Sequence, residues 1–260
     1  MTQNYIFIDG SYFVFHRYFA LLSWCKLAKK EGMENPIESE EFVEKFKKTF
    51  IEKIKEIPKK LKIDDPIIIV GKDCPRATIW RMKHLPSYKG NRIYNGNIGD
   101  FFELSYKDLF MKGGAQTILK YPTLEADDCI AIMVKGIQEE DVNITIITSD
   151  MDYLQLASDN INIYDLKYRK LTEKKSSYNC PKKDLFVKIL TGDKSDNIEG
   201  VFKKCGPVTA CKYYNNSELF HKKLENKESL ERYKLNKKMI DFNEIPSELV
   251  DKFIDKYCRY

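Results

Sequence analysis

Nine acidic residues, Asp9, Asp73, Glu125, Asp127, Asp128, Asp150, Asp152, Asp193 and Asp196, fall where strands are expected to end or helices to begin. A strand that ends in a carboxylate delivers it to the carboxyl edge of an α/β sheet, where such folds build their sites, and several such strands make the acids converge. Carboxylates crowded into one cavity repel one another and stay ionised only if cations neutralise them. Oxygen ligands select hard divalent ions, Mg²⁺ above all, with Mn²⁺ able to take its place.

The individual segments differ in force. In TLEADDCIAIMVKGI (123–137) an apolar stripe at Ile130, Met133, Val134 and Ile137 marks a helix, and Asp127 heads that stripe, pointing towards the sheet edge. Acids in a first turn also complement the helix dipole, with Thr123 as N-cap, but this accounts for one or two acids better than for three. ITIITSDMDYLQL puts Asp150 at a strand end and Asp152 two positions on, where Asp and Ser are also ordinary turn formers. In ILTGDKSDNIEGV, Asp193 and Asp196 are three apart and share one face of a helical turn, an arrangement equally suited to a solvated turn. Chemistry is favoured because every acid pair falls at an element end. WRMKHLPSYKGNR (80–92) adds Arg81, Lys83, Lys89 and Arg92 with Tyr88 interleaved, cations for phosphate oxygens and an aromatic ring able to stack on an unpaired base. Without the carboxylates it would read as a basic surface helix. GPVTACKYY, with Gly206 and Thr209, offers backbone amides at a helix N-terminus to a phosphate, or forms a plain turn. His16, His84 and His221 are too far apart in sequence to suggest a histidine metal site, and the aromatic cluster at 12–19 reads as core.

The elements that must position these groups follow from periodicity. YIFIDG (5–10), PIIIVGKD (66–73) and ITIITSD (144–150) are apolar runs ending in acids, the mark of buried strands. Between Ser39 and Ile57, Phe42, Val43, Phe46, Phe50, Ile51 and Ile54 recur at helical spacing, and Pro58 is expected to end that helix. Alternating strands and helices imply an α/β fold with a mostly parallel sheet flanked by helices. The Arg-, Lys- and Tyr-rich stretch from Lys72 to Tyr121 reads as a partly helical excursion covering the site, and the last fifth as Lys-rich and helical.

At 260 residues the chain fits one large domain or a domain with an appendage. It has neither an 18-residue apolar run nor a leader pattern at its start, so an intracellular protein without a membrane span is expected. Seven scattered cysteines with no CxxC pair indicate neither a zinc site nor a disulfide framework. The net charge is +5, but removing nine acids from 39 against 44 basic residues leaves an excess of 14 positive charges elsewhere, which suits a polyanionic partner as well as a plain soluble surface.

Taken in order, FIDGSYFVFHRYFAL, RMKHLPSYKGNR, TLEADD, TSDMDYLQL, LTGDKSDNIEGV with GPVTA, and LNKKMIDFNEIP resemble the flap endonuclease and 5′-3′ exonuclease family over nearly the whole chain. The resemblance implies a resolvase-like (PIN-like) core at 1–175 with a helical arch at about 76–120, and a helix-three-turn-helix module at 176–260 that grips duplex DNA. It places two Mg²⁺ ions on Asp9, Asp73, Glu125, Asp127, Asp128, Asp150, Asp152, Asp193 and Asp196, and catalytic work on Asp9, Asp127, Asp150, Asp152, Lys89 and Arg92. DNA contacts fall on Arg81, Lys83, Tyr88, Lys89, Arg92, Gly206 and Thr209, and a K⁺ ion on backbone carbonyls of 198–210. Lys72 stands where the family usually has an apolar residue before its second aspartate. The implied activity is metal-dependent hydrolysis of 5′ flaps and nicked or branched DNA in replication or repair, by a monomer, cytoplasmic, or nuclear in a eukaryotic host, of phage or viral type. The alternatives are removal of RNA primers from RNA:DNA hybrids, a PIN-type ribonuclease, a small-molecule phosphatase, and a non-catalytic structure-specific DNA-binding protein.

Overall fold

The central strand β1 (Gln3–Asp9) buries Ile6, Phe7 and Ile8 completely, so both of its faces are covered. In the computed structural model, which describes residues 2–28, 35–92, 98–138 and 141–257, β1 pairs in parallel with β2 (Ile67–Gly71) and with β4 (Val142–Ile147). The short edge strands β3 (Thr117–Leu119) and β5 (Ile161–Tyr164) complete a five-stranded parallel sheet in the order β3-β2-β1-β4-β5. The three expected strands are present. The two edge strands are too short to announce themselves by periodicity.

One face of the sheet packs on α5 (Ala126–Ile137), where Phe7, Ile130, Val134, Ile144 and Ile146 meet. The other is covered by α1 (Gly10–Leu27) and α2 (Glu40–Leu61), through Phe13, Phe46 and Phe50. Helix α2 corrects the expectation that Pro58 ends it. The proline sits in the last turn, where only a few residues of helix remain to be disturbed, and Lys62 in a left-handed conformation ends the helix instead. Helix α5 also starts later than expected. Glu125, not Thr123, is its N-cap, in a reciprocal capping box with Asp128.

The expected arch resolves into 3₁₀ turns at Arg76–Thr78 and Trp80–Lys83, then a helical stretch of α3 (Ile98–Leu104), a wide π turn (Ser105–Leu109) and α4 (Phe110–Gly113). Residues 93–97 of that expected arch lie outside the described residues. Phe101 and Phe110 anchor the stretch in the core beside α1 and α2. Beyond β5 the chain is helical: α6 (Pro181–Thr191), α7 (Pro207–Asn215), α8 (Ser217–Leu224), α9 (Lys227–Ile240) and α10 (Ser247–Tyr257). Gly192 is required between α6 and α7, because at φ +70 a side chain would strike the Ile198 and Glu199 carbonyls. The region is not independent of the core, since Phe242, Ile245 and Phe253 are buried with α5.

Immediately after β1 the chain passes so close to β2 that a Cβ on Gly10 would lie 2.5 Å from the Gly71 carbonyl oxygen and against the Tyr106 hydroxyl. A backbone carbonyl cannot swing aside as a side chain end can. Gly10→Ala should therefore destabilise the fold by about 1–3 kcal/mol, read as a lower thermal midpoint, whereas Gly136→Ala, in open space, should not lower it.

Candidate active site

The carboxyl edge of the sheet opens into a cavity of about 830 Å³ lined by Asp9, Asp73, Asp127 and Asp150, by Lys89 and Arg92, and by Tyr12, Phe15, Phe102 and Tyr106. Each acid is delivered by a different element. Asp9 ends β1 and caps α1, accepting from the Tyr12 amide at 3.0 Å and the Thr148 hydroxyl at 3.0 Å. Asp73 follows β2 and accepts from the Ala126 amide at 2.8 Å and the Ser11 hydroxyl. Asp127 lies in the first turn of α5, and Asp150 follows β4, where it accepts from the Asp152 amide at 2.9 Å. Among the described residues no ammonium or guanidinium pairs with any of these four.

The electrostatic consequence is strong. Burial, then the neighbouring Asp73 and Asp150, push the Asp9 carboxyl up to about 7. Asp150 reaches solvent through the cavity but is otherwise surrounded by protein; burial and then Asp152 raise it to about 6. Asp127 is raised well above the carboxylate range by burial, Asp128 and Glu125.

Each of the remaining five acids has an internal cation as partner, although burial still raises Asp152 and Asp196. Arg81 holds Asp128 through both terminal nitrogens at 2.7 Å and Glu125 at 3.0 Å. Lys89 bonds to Glu125 and lies 3.9 Å from Asp196, which also pairs with Arg92. Although burial raises Glu125, Lys89 and Arg81 outweigh it and hold its pKa below the usual value. Lys188 of α6 bridges Asp152 at 2.9 Å and Asp193 at 2.6 Å. Burial opposes its charge, yet Asp152 and Asp193 hold it above the ordinary lysine range, and Asp193 falls to about 2 once the Lys188 hydrogen bond outweighs burial.

Several expectations are corrected here. Arg81 is only 2% exposed and serves carboxylates, so it does not reach a nucleic acid. Tyr88 is 3% exposed and its hydroxyl bonds to Glu125 at 3.1 Å, so its ring is not free to stack on a base. Asp193 and Asp196 do not act on one face: Asp193 turns to Lys188 and Ser195, Asp196 to Arg92 and Lys89. The aromatic cluster at 12–19 is divided, with Phe13, Val14 and Tyr18 buried, Tyr12 and Phe15 on the cavity wall and Phe19 exposed. Lys83 is exposed beyond the cavity, Gly206 caps α7 as an exposed N-terminal residue, and Thr209 is half-buried in that helix. Lys72 lies over the Tyr106 ring at 4.6 Å, a place an apolar side chain could also fill. Residues not singled out beforehand are Ser11, Thr148 and Lys188; only Lys188 had a signal, five residues before Asp193 on an expected helix.

The donor set suits a hard divalent cation. Oxygens of Glu125, Asp127 and Asp128 lie within 4.8 Å of one another, but both Asp128 oxygens already accept from Arg81, Trp80 and the Glu125 amide. Asp9, Asp73, Asp127 and Asp150 line the cavity and, among the described residues, form no ion pair, so their oxygens could hold a cation.

Residues 4–186 match the family described as 5′-3′ exonuclease, N-terminal resolvase-like domain. A 5′-3′ exonuclease of Buchnera aphidicola subsp. Acyrthosiphon pisum is 29% identical over 97% of this chain and 92% of its own. Ribonuclease H of Enterobacteria phage T4 is 29% identical over 74% of this chain and 70% of its own. Among solved structures, a phage T5 5′-exonuclease with bound zinc superposes with a TM-score of 0.69 at 19% identity, covering 98% of both chains. A phage T5 flap endonuclease complex with DNA and metal ions gives 0.66 at 19%, covering 98% of this chain and 97% of that one.

Because the folded-state pKa of Asp9 lies above its unfolded value, the folded protein binds the extra proton between those values, and its stability falls as pH rises through that window. Asp9→Asn, which cannot ionise, should raise the thermal midpoint of the metal-free protein by about 5 °C near pH 8 and change it little near pH 5. Saturating divalent cation should reverse the order at the higher pH, because the wild type then gains the ligand.

Proposed function

The chain belongs to the 5′-3′ exonuclease family, and from that membership we infer that it is a structure-specific 5′ nuclease, a divalent-metal-dependent phosphodiesterase acting on 5′-ended flaps and nicked or branched DNA. The observation that carries this reading is the contrast inside one cavity: four carboxylates that form no ion pair among the described residues line it together with Lys89 and Arg92. A scissile phosphate needs both a place for cations and donors for its oxygens.

Mg²⁺ is the ion proposed for Asp9, Asp73, Asp127 and Asp150; divalent ions there would activate water and offset charge on the scissile phosphate. Lys89 and Arg92 meet the non-bridging phosphate oxygens, where their charge, already fixed by Glu125 and Asp196, needs no reorganisation during cleavage. Asp152 and Asp193 orient Lys188 at the base of α6. Phe15 and Phe102 line the same cavity and would limit the water beside the scissile phosphate. Helices α6 to α9, with exposed Lys203, Lys204, Lys212, Lys222 and Lys223, present the surface for the duplex phosphates, with Gly206 and Thr209 at the start of α7. A K⁺ ion on the backbone carbonyls of 198–210 is part of the same proposal.

A second substrate, the RNA strand of an RNA:DNA hybrid, is favoured by the likeness to phage T4 Ribonuclease H. A non-catalytic binding protein is disfavoured, since it has no need of the four uncompensated carboxylates.

Cleavage of a 5′-labelled flap duplex tests the reading, with an RNA:DNA hybrid run in parallel. With Mg²⁺ the wild type should cut near the junction, EDTA should abolish cutting, and Asp127→Asn should slow it by about 10² or more while binding the flap, because charge stabilisation in the transition state is lost. Tight binding with no cutting in Mg²⁺ or Mn²⁺ would refute the nuclease assignment. A fall in flap affinity when K⁺ is replaced by Na⁺ would support the proposed monovalent site, and equal affinity would refute it.

A further inference from the structure

Arg81 is the largest fully buried side chain among the described residues, and it is not one of the residues that line the cavity. Its Nε donates to the Met239 carbonyl at 2.8 Å, near the end of α9. Its Nη1 donates to Glu125 Oε2 at 3.0 Å and Asp128 Oδ2 at 2.7 Å, and Nη2 donates to Asp128 Oδ1 at 2.7 Å. The guanidinium stacks 4.6 Å from the Trp80 ring, whose Nε1 donates to the same Asp128.

From Arg81 outward, charges alternate along a single line: Asp128, Arg81, Glu125, Lys89, Asp196, Arg92. Three carboxylates match three cations, and of these six Glu125, Lys89 and Arg92 line the cavity while Asp128 and Arg81 do not. Glu125 is divided between the two ends. Its Oε2 is held on the buried side by Arg81 and Tyr88, while its Oε1 faces Lys89. Remove the guanidinium and two buried carboxylates, Glu125 and Asp128, must share Lys89, whose ammonium is then drawn inwards and away from the cavity.

We propose that Arg81 is a positioning residue: by satisfying Asp128 and one oxygen of Glu125 while bonded to the Met239 carbonyl, it leaves Lys89 facing the cavity and sets the spacing between that cation and the C-terminal helices. A lysine cannot replace it. A guanidinium directs N–H groups to three partners in one plane, whereas an ammonium is a point charge that cannot span them. The inference rests on the nuclease reading for the task of Lys89, not for the geometry.

A double-mutant cycle tests it, using Arg81→Lys, Lys89→Ala and the combination, with single-turnover flap cleavage in Mg²⁺ and flap binding in Ca²⁺ as readouts. Arg81→Lys should slow cleavage roughly 100-fold, the loss that a displacement of about 1 Å can produce. Lys89→Ala should slow the wild type by a comparable factor yet change the Arg81→Lys protein by less than about threefold, because the two residues act through one interaction. A role in folding alone would not make the losses overlap. Losses that multiply, or an Arg81→Lys protein that cuts at the wild-type rate, would overturn the proposal. If Arg81→Lys does not fold, Arg81→Met combined with Asp128→Leu replaces the buried pair with apolar groups of similar size, an exchange that is often neutral for stability; Lys89→Ala should again add nothing on that background. Absence of wild-type cutting would defeat the nuclease reading separately, and the cycle would then be read from binding, where Lys89→Ala should weaken the flap complex only when Arg81 is present.

Discussion

Repulsion among carboxylates is the constraint around which this molecule is organised. Nine acids gather at one edge of a parallel sheet, and the chain answers in two ways. Five are paired with its own cations, through Arg81, Lys89, Arg92 and Lys188. Four line the cavity without an ion-pair partner, and burial first, then neighbouring acids, push Asp9, Asp127 and Asp150 towards protonation. The unpaired set is where the external cations are proposed to bind.

The internally balanced set has a second consequence, for assembly. Residues 80–92 form a strap fastened on both sides. Arg81 and Lys89 hold the α5 N-terminus, while Asn91 donates to the Lys194 carbonyl at 2.7 Å and the Lys89 amide to the Asp196 carbonyl at 2.9 Å. Asn197 returns a bond to the Ser87 carbonyl at 3.0 Å. The turn between α6 and α7 is thereby fixed relative to the sheet edge. Family membership and the superposition on phage T5 enzymes at TM-scores of 0.66 and 0.69 place this arrangement on a fold used for 5′ nucleases.

Much of this was legible in the sequence. Strands that end in acids announce both the parallel sheet and the converging carboxylates, and the flanks of PIIIVGKD and ITIITSD fix which edge carries them. What a sequence shows poorly is which charge is buried. Arg81 and Lys89 read as members of the same basic segment, but one is enclosed by Trp80, Asp128 and Met239 while the other reaches the cavity. Asp127 and Asp128 are adjacent letters with opposite surroundings, because one helical step turns the side chain by about 100°. Tyr88 looks like a stacking residue until its hydroxyl is seen bonded to Glu125. Lys188 is hidden for another reason: its partners Asp152 and Asp193 come from two separate segments, a juxtaposition created only by packing.

The cation site proposed at Asp9, Asp73, Asp127 and Asp150 contains three carboxyls, those of Asp9, Asp127 and Asp150, that burial and then neighbouring acids push towards protonation. Calorimetric titration of the metal-free protein with Mn²⁺ near pH 6.5, repeated in buffers of different ionisation enthalpy, measures this directly, because ions that bind carboxylates must displace their protons. Net proton release on binding is expected, fading near pH 8.5 and reduced in Asp9→Asn and Asp150→Asn. Binding without proton release near pH 6.5, or with unchanged affinity in both variants, would contradict it.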